Sequence, residues 1–153
     1  MPKLPSYDVI IIGAGPAGYV CAIRCAQLGM KVACVEKGKT LGGTCLNVGC
    51  IPSKALLQAS EKYEEAQSHL DAFGVKVGKV VLDLKAMMGH KGAVVDSNTK
   101  GIEYLFKKNK ITRIEGTATI ESAGSVSVDG KVYDTTNIII ATGSPFLNPA
   151  FCK

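Results

Sequence analysis

Two cysteines stand five positions apart in the stretch Leu41-Gly42-Gly43-Thr44-Cys45-Leu46-Asn47-Val48-Gly49-Cys50-Ile51-Pro52-Ser53-Lys54. Helical patterning begins near Val48, so both sulfurs fall at the mouth of a helix. They are about one and a half turns apart, and they reach bonding range if the first turn is slightly irregular. A helix N-terminus stabilises a thiolate there, and Lys54, four residues past Cys50, lies on the same helical face and adds positive charge. Such a pair is reactive. Two other readings use the same residues. A pair of buried structural cysteines would leave the surrounding glycines and the lysine without a purpose. A metal centre needs more ligands, and His69, His90 and the other cysteines offer no partner at zinc-site spacing, so no metal is expected. Cys21, Cys25 and Cys34 fall on apolar faces and read as small core residues.

The second constellation is Gly13-Ala14-Gly15-Pro16-Ala17-Gly18, a match to G-x-G-x-x-G. The pattern alone is common, but its setting is informative. It follows the apolar run Tyr7 to Ile12, opens a helical pattern from Pro16 to Leu28, and is answered by Glu36 at the end of a second apolar run from Lys31. An acid about 20 residues on is the usual acceptor for ribose hydroxyls. Gly13 allows the tight turn, Gly15 leaves room for a pyrophosphate, and Gly18 lets helix and strand pack closely. The helix N-terminus supplies free N–H groups and a positive dipole. Glu36 would repel a ribose 2′-phosphate, which favours FAD or NAD over NADP. The plain alternative is a glycine turn in an ordinary βαβ unit.

These residues need elements to hold them. Strand, helix and strand over residues 7–36 make a βαβ unit with a parallel sheet and a right-handed crossover. A glycine-dense loop from Lys37 to Asn47 leads into helical stretches from about Val48 to Leu70 and from about Leu84 to Lys108, the second interrupted by Gly89, Gly92 and Gly101. Short strands follow at Thr117 to Ile120, Ser125 to Val128 and Lys131 to Tyr133, with the hairpin signal Asp129-Gly130 between the last two. Asn137 to Ala141 is a further apolar strand that runs into Thr142-Gly143-Ser144. The fold class is therefore α/β. The expected architecture is a three-layer Rossmann-like domain, with a parallel sheet, helices on one face and a small antiparallel β-meander on the other.

At 153 residues and 46% hydrophobic, the chain can bury a full-sized core, which excludes a disordered tail. Its charge of +5 is spread over scattered lysines, and with no tryptophan and 6% aromatics nucleic acid is not expected as a partner. No apolar run approaches the roughly 20 residues of a membrane span, and the N-terminus does not read as a signal peptide, so no membrane association and no secretion are expected. Reduced thiols or a working redox pair follow from that setting.

In three stretches the sequence resembles the flavin-dependent pyridine nucleotide-disulfide oxidoreductases: Ile11 to Gly18, Leu41 to Lys54, and Ile139-Ile140-Ala141-Thr142-Gly143-Ser144. The stretch Leu46-Asn47-Val48-Gly49-Cys50-Ile51-Pro52-Ser53-Lys54 is similar to the lipoamide branch of that family. The resemblance implies that the dinucleotide is FAD, with Glu36 on the adenosine ribose and Lys37 beside it. Cys45 would exchange with substrate, Cys50 would touch the flavin, and Lys54 would lie beside the isoalloxazine ring. Gly42, Gly43 and Thr44 would line the cofactor, Thr117 and Ala118 would meet the adenine, and Thr142, Gly143 and Ser144 would close over it. It further implies oxidation of dihydrolipoamide, carried on a lipoyl domain of a 2-oxoacid dehydrogenase or glycine cleavage complex, with NAD as co-substrate and a homodimer as the family's assembly. The compartment implied is the cytoplasm or the mitochondrial matrix. Residues 1–144 are read as the N-terminal part of the FAD-binding domain and 145–153 as an atypical tail. No second G-x-G-x-x-G is found, so the NAD-binding and interface domains are expected to be absent, the product truncated and some apolar surface left exposed. The alternatives are a non-catalytic FAD-binding fragment and a related disulfide or mercuric reductase.

Overall fold

A computed structural model describes residues 5–144. The expected tail, 145–153, lies outside the described residues. The first strand, β1 (Ser6–Ile12), runs parallel to β2 (Val32–Glu36) on one side and to the far strand β6 (Lys131–Ile140) on the other. Its Val-Ile-Ile-Ile run is what a strand covered on both faces requires. With β3 (Thr112–Glu115), β4 (Ala118–Ser122) and β5 (Ser125–Val128) the sheet has the order β3-β2-β1-β6-β5-β4.

Side-chain alternation then divides the core in two. Val9, Ile11, Val32 and Cys34 face the helices, where they meet Leu46, Ile102 and Phe106. Ile10, Ala33, Val35 and Ile114 face the other way and lie under Val126, Val128 and Tyr133 of the meander. The three layers are those expected from the sequence.

The strands differ from expectation in two places. A parallel edge strand, β3, lies next to β2, where the sequence pattern turns to short strands from Ile111 but delimits none before Thr117. Lys131–Ile140 is one strand, where the sequence suggested two. Its first residues pair antiparallel with β5 and the rest pair parallel with β1, both partners meeting at Asp134. One strand thus carries the meander over onto the parallel sheet.

On the helical side, α1 (Pro16–Gln27) begins with proline in its first turn, where the absent N–H costs nothing. The glycine loop contains a short helix, α2 (Gly43–Asn47), and α3 (Cys50–Ser68) follows, closed by a 3₁₀ turn at Leu70–Phe73. The long α4 (Leu84–Lys108) is capped by Asp83, which accepts from Ala86 N at 2.9 Å, and ends on Lys107 and Lys108, where cations suit the dipole. A Cβ at any of its three glycines would meet nothing, and the buried Ile102 and Phe106 join the helix-side core of the sheet. Phe73, Val81, Leu84 and Ile140 are exposed. No helix among the described residues is long and apolar enough to cross a membrane.

Cys34 is fully buried on β2, and burial, reinforced by the Glu36 carboxylate, pushes its thiol from 9.0 up to about 12. The folded state therefore favours the neutral thiol. That contribution to stability is complete below pH 9 and is lost as pH rises towards 12, because the unfolded chain releases its proton first. The stability gap between the unaltered chain and Cys34→Ala, read from urea unfolding, is expected to narrow steadily above pH 9. A gap independent of pH would refute this account.

Candidate functional site

The turn after β1 is shaped by two of its glycines. Gly13 has φ +101° and donates its N–H to Val35 O at 2.8 Å, and a Cβ there would run into the Ala141 carbonyl at the end of β6. A Cβ on Gly18 would run into the carbonyl of Gly13. Both are demanded by the chain's own packing. Gly15 is different. Its backbone is ordinary extended chain (φ −68°, ψ −177°), and a Cβ would have only Gly43 Cα near it, at 4.0 Å. The protein itself leaves room for a side chain at Gly15, and the space lies in the floor of a cleft. Gly15 is also the N-cap of α1 and supplies no side-chain acceptor to the helix end, which leaves N–H groups and dipole for an anion.

That cleft has a volume of about 740 Å³. Gly13, Gly15 and Ala17 line it from the turn, Glu36 and Lys37 from the end of β2, Gly43 and Thr44 from α2, and Thr142, Gly143 and Ser144 from beyond β6. Cys45 and Cys50 line it too. A smaller cavity of about 180 Å³ shares Gly13, Glu36, Lys37 and Thr142 with it and adds Thr117 and Ala118. The two cavities adjoin at those four residues, the larger reaching the cysteines and the smaller the start of β4.

Three of the residues singled out in the sequence stand outside this lining. Gly18 is buried behind the turn, and Gly42 is buried beside Leu46, its N–H donating to Ala14 O at 2.8 Å and so tying the second glycine loop to the first. Lys54 is exposed and lines a separate groove between α3 and α4, with Leu57, Gln58, Glu61 and Asn98.

Cys45 and Cys50 form a disulfide with Cα atoms 4.6 Å apart. The irregularity that the spacing required is a break between two helices. Cys45 belongs to α2, Cys50 opens α3, and between them the N–H groups of Val48 and Gly49 both donate to Thr44 O, at 3.0 and 2.8 Å. Cys50 thus sits at the N-terminus of a 19-residue helix, exposed, while Cys45 is half-buried against the helix-side core. A thiolate released at Cys50 is stabilised by the dipole of α3.

Polar contacts that sequence reasoning missed hold this frame. Asn47 accepts from Thr40 Oγ1 at 2.7 Å and donates to the carbonyls of Leu41 and Gly43, at 3.2 and 2.8 Å, which fixes the loop that precedes Cys45. Glu36 accepts from Ala14 N and from Gly38 N, both at 2.8 Å, and so joins the phosphate turn to the loop after β2. Arg113 on β3 donates to Lys39 O at 2.8 Å and pairs with Glu115 at 3.0 Å. No spacing rule reveals Asn47 or Arg113, because both donate to backbone carbonyls.

Residues 7–151 match the family described as pyridine nucleotide-disulphide oxidoreductase. The chain belongs to that family. The pyridine nucleotide-disulphide oxidoreductases most similar to it include the mitochondrial dihydrolipoyl dehydrogenase of Pisum sativum, 55% identical over 142 residues, covering 90% of this chain and 28% of the pea protein. A dihydrolipoyl dehydrogenase of Cupriavidus necator is 51% identical over 150 residues, covering 90% and 32%. A leghemoglobin reductase of Vigna unguiculata is 52% identical over 142 residues, covering 90% and 27%. Among solved structures, the HOCl-induced flavoprotein disulfide reductase of Escherichia coli superimposes with a TM-score of 0.77 at 27% identity, over 94% of this chain and 30% of that one. The chain spans about 28% of the length of its pea relative, and its fold is the Rossmann-like fold of the family's flavoproteins.

Proposed function

We propose that this chain is the FAD-binding, disulfide-bearing portion of a dihydrolipoyl dehydrogenase, acting on the dithiol of dihydrolipoamide. The observation that carries the reading is the position of the Cys45–Cys50 disulfide, which lines the same cleft as the glycine turn. The residues present fit FAD: Gly15 keeps the floor clear, the N-terminus of α1 accepts the pyrophosphate, Glu36 and Lys37 stand at the ribose, and Thr117 and Ala118 bound the adenine end. FAD, when bound, supplies the hydride chemistry that carries electrons on to NAD⁺ in the whole protein.

The chain's own part is thiol–disulfide exchange. A thiolate of the substrate attacks Cys45 Sγ, forming a mixed disulfide, breaking the Cys45–Cys50 bond and releasing Cys50 as a thiolate. The substrate's second thiol attacks the substrate sulfur of the mixed disulfide, and its proton passes to the departing Cys45 sulfur. Cys45 leaves, and the substrate departs as a cyclic disulfide. Cys50, at the N-terminus of α3 and lining the cleft, holds its negative charge there and is the sulfur that would meet the flavin. Lys54, exposed one turn along α3, is the cation that turns towards the ring in this reading. The lipoyl domain of a 2-oxoacid dehydrogenase or glycine cleavage complex presents the dithiol, in the bacterial cytoplasm or the mitochondrial matrix, and the whole protein works as a homodimer.

The test is a visible spectrum of the chain mixed with FAD, freed of unbound cofactor and titrated with dihydrolipoamide. Retained flavin and a long-wavelength charge-transfer band are expected, and the monothiol glutathione, used for comparison, should produce much less. Colourless protein, or flavin without the band, would overturn the proposal.

A further inference from the structure

We infer that Arg113 is a positioning residue for recognition of the adenosine half of the cofactor. The inference rests on the FAD reading above and extends it to a residue outside the cleft lining.

Arg113 lies on the edge strand β3, opposite Cys34 in the register of the parallel sheet, with its side chain about four-fifths buried. One guanidinium nitrogen meets three acceptors, two on the loop after β2 and one on β3 itself: Lys39 O at 2.8 Å, Gly38 O at 3.4 Å and the Glu115 carboxylate at 3.0 Å. The other terminal nitrogen reaches Glu103 on α4 at 3.5 Å. Such a fork ties one loop to one strand and one helix, which a lysine cannot reproduce. Its Nε is buried with no partner among the described residues. An unpaired buried donor is unfavourable by itself, so the arrangement is held by the contacts of the outer nitrogens.

What the fork holds is a relay. Gly38 receives Arg113 at its carbonyl, while its own N–H donates to Glu36 Oε1 at 2.8 Å, and Glu36 Oε2 accepts from Ala14 N in the phosphate turn at 2.8 Å. Arg113, Gly38, Glu36 and Ala14 therefore form a continuous chain of polar contacts, from the back of the loop to the glycine turn. Each Glu36 oxygen is engaged once by backbone and keeps a lone pair for a ribose hydroxyl. Arg113 fixes the loop, the loop fixes the rotamer of Glu36, and the carboxylate meets the ribose already oriented.

The experiment measures binding of FAD, ADP and FMN to the full chain and to Arg113→Met and Arg113→Lys. ADP carries the adenosine ribose and pyrophosphate without the flavin, and FMN carries the flavin without adenosine. In Arg113→Met, FAD and ADP are expected to weaken together by about tenfold, the equivalent of one well-placed hydrogen bond, with FMN unchanged. Arg113→Lys should fall between, since it keeps one donor to Lys39 O. A role in general stability alone would weaken all three ligands together and lower the melting temperature in step. That pattern, or unchanged FAD and ADP binding in both variants, would overturn the inference. If Arg113→Met does not fold, Arg113→Lys carries the comparison. Failure of the unaltered chain to hold FAD would overturn the parent reading, and this one with it.

Discussion

Cys50→Ser is expected to abolish dithiol oxidation, lowering it by at least about three orders of magnitude, since Cys45 then has no disulfide bond for the substrate thiolate to break and no mixed disulfide can form. Cys45→Ser should lower it as far, but with a different signature. In Cys45→Ser the remaining thiol is Cys50, at the N-terminus of α3 and lining the cleft. With FAD bound, its thiolate should give long-wavelength absorption without any added reductant, growing as pH rises through the Cys50 pKa. Cys50→Ser should show none at any pH. Both variants lose the same disulfide and so the same stability, about 2 kcal/mol, which leaves the spectral asymmetry as evidence of position alone. Equal spectra in the two variants would show that the roles assigned to the two sulfurs are wrong.

A second pair of variants separates the glycines that the protein needs from the one that its ligand needs. Gly18→Ala places a methyl group against the Gly13 carbonyl, with Gly13 C 2.9 Å away, and both are backbone that cannot give way without moving β1 from α1. A loss of about 3 kcal/mol is expected in urea unfolding, near the upper end for overpacking. Gly15→Ala meets only Gly43 Cα at 4.0 Å and should leave the unfolding midpoint within about 0.5 kcal/mol of the unaltered chain. Flavin retention should nevertheless fall sharply in Gly15→Ala, because the methyl group stands in the floor of the cleft. If Gly15→Ala binds FAD as well as the unaltered chain, the pyrophosphate does not lie over that turn.

The elements that could be read in advance were those whose own side chains state their environment. β1 and β2 are apolar on both faces, and α4 keeps helical period across three glycines where a side chain would have met nothing, so local pattern and tertiary setting agree. β3 was invisible because only Ile114 of Thr-Arg-Ile-Glu is buried, and a four-residue edge strand with two charges looks like a loop. β6 read as two strands because Asp134-Thr135-Thr136-Asn137 is polar. There the strand exchanges one neighbour for another, and polar side chains serve it: Thr135 Oγ1 donates to Asn137 O, and Asn137 donates to Asp8 O on β1.

The site divides the same way. Gly13, Gly15, Glu36, Cys45 and Cys50 were legible because the covalent spacing itself sets their relation, and all five line one cleft. Lys54 lies four residues past Cys50 on α3, and its side chain lines the α3–α4 groove, since helical spacing fixes a face and leaves a long rotamer free. Asn47 and Arg113 were illegible, because their partners are backbone carbonyls, and carbonyls carry no sequence.

The double pairing of β6 bears on the order in which the molecule can assemble. Asn137 lies 129 residues from Asp8, which it contacts, and Gly13 is seated against Ala141. A ribosome that has released everything as far as Gly130 has already delivered the glycine turn, Glu36 and both cysteines of the disulfide. It has not delivered the strand that stands beside β1. Until then the nascent chain holds its chemistry on a half-walled groove with a long strand edge open to other chains, and closure requires a contact of very high sequence separation, which is slow. The period of greatest exposure to misassembly thus falls between synthesis of the cysteines and synthesis of β6, and a chaperone that shields one surface in that interval would serve the fold best at the free edge of β1.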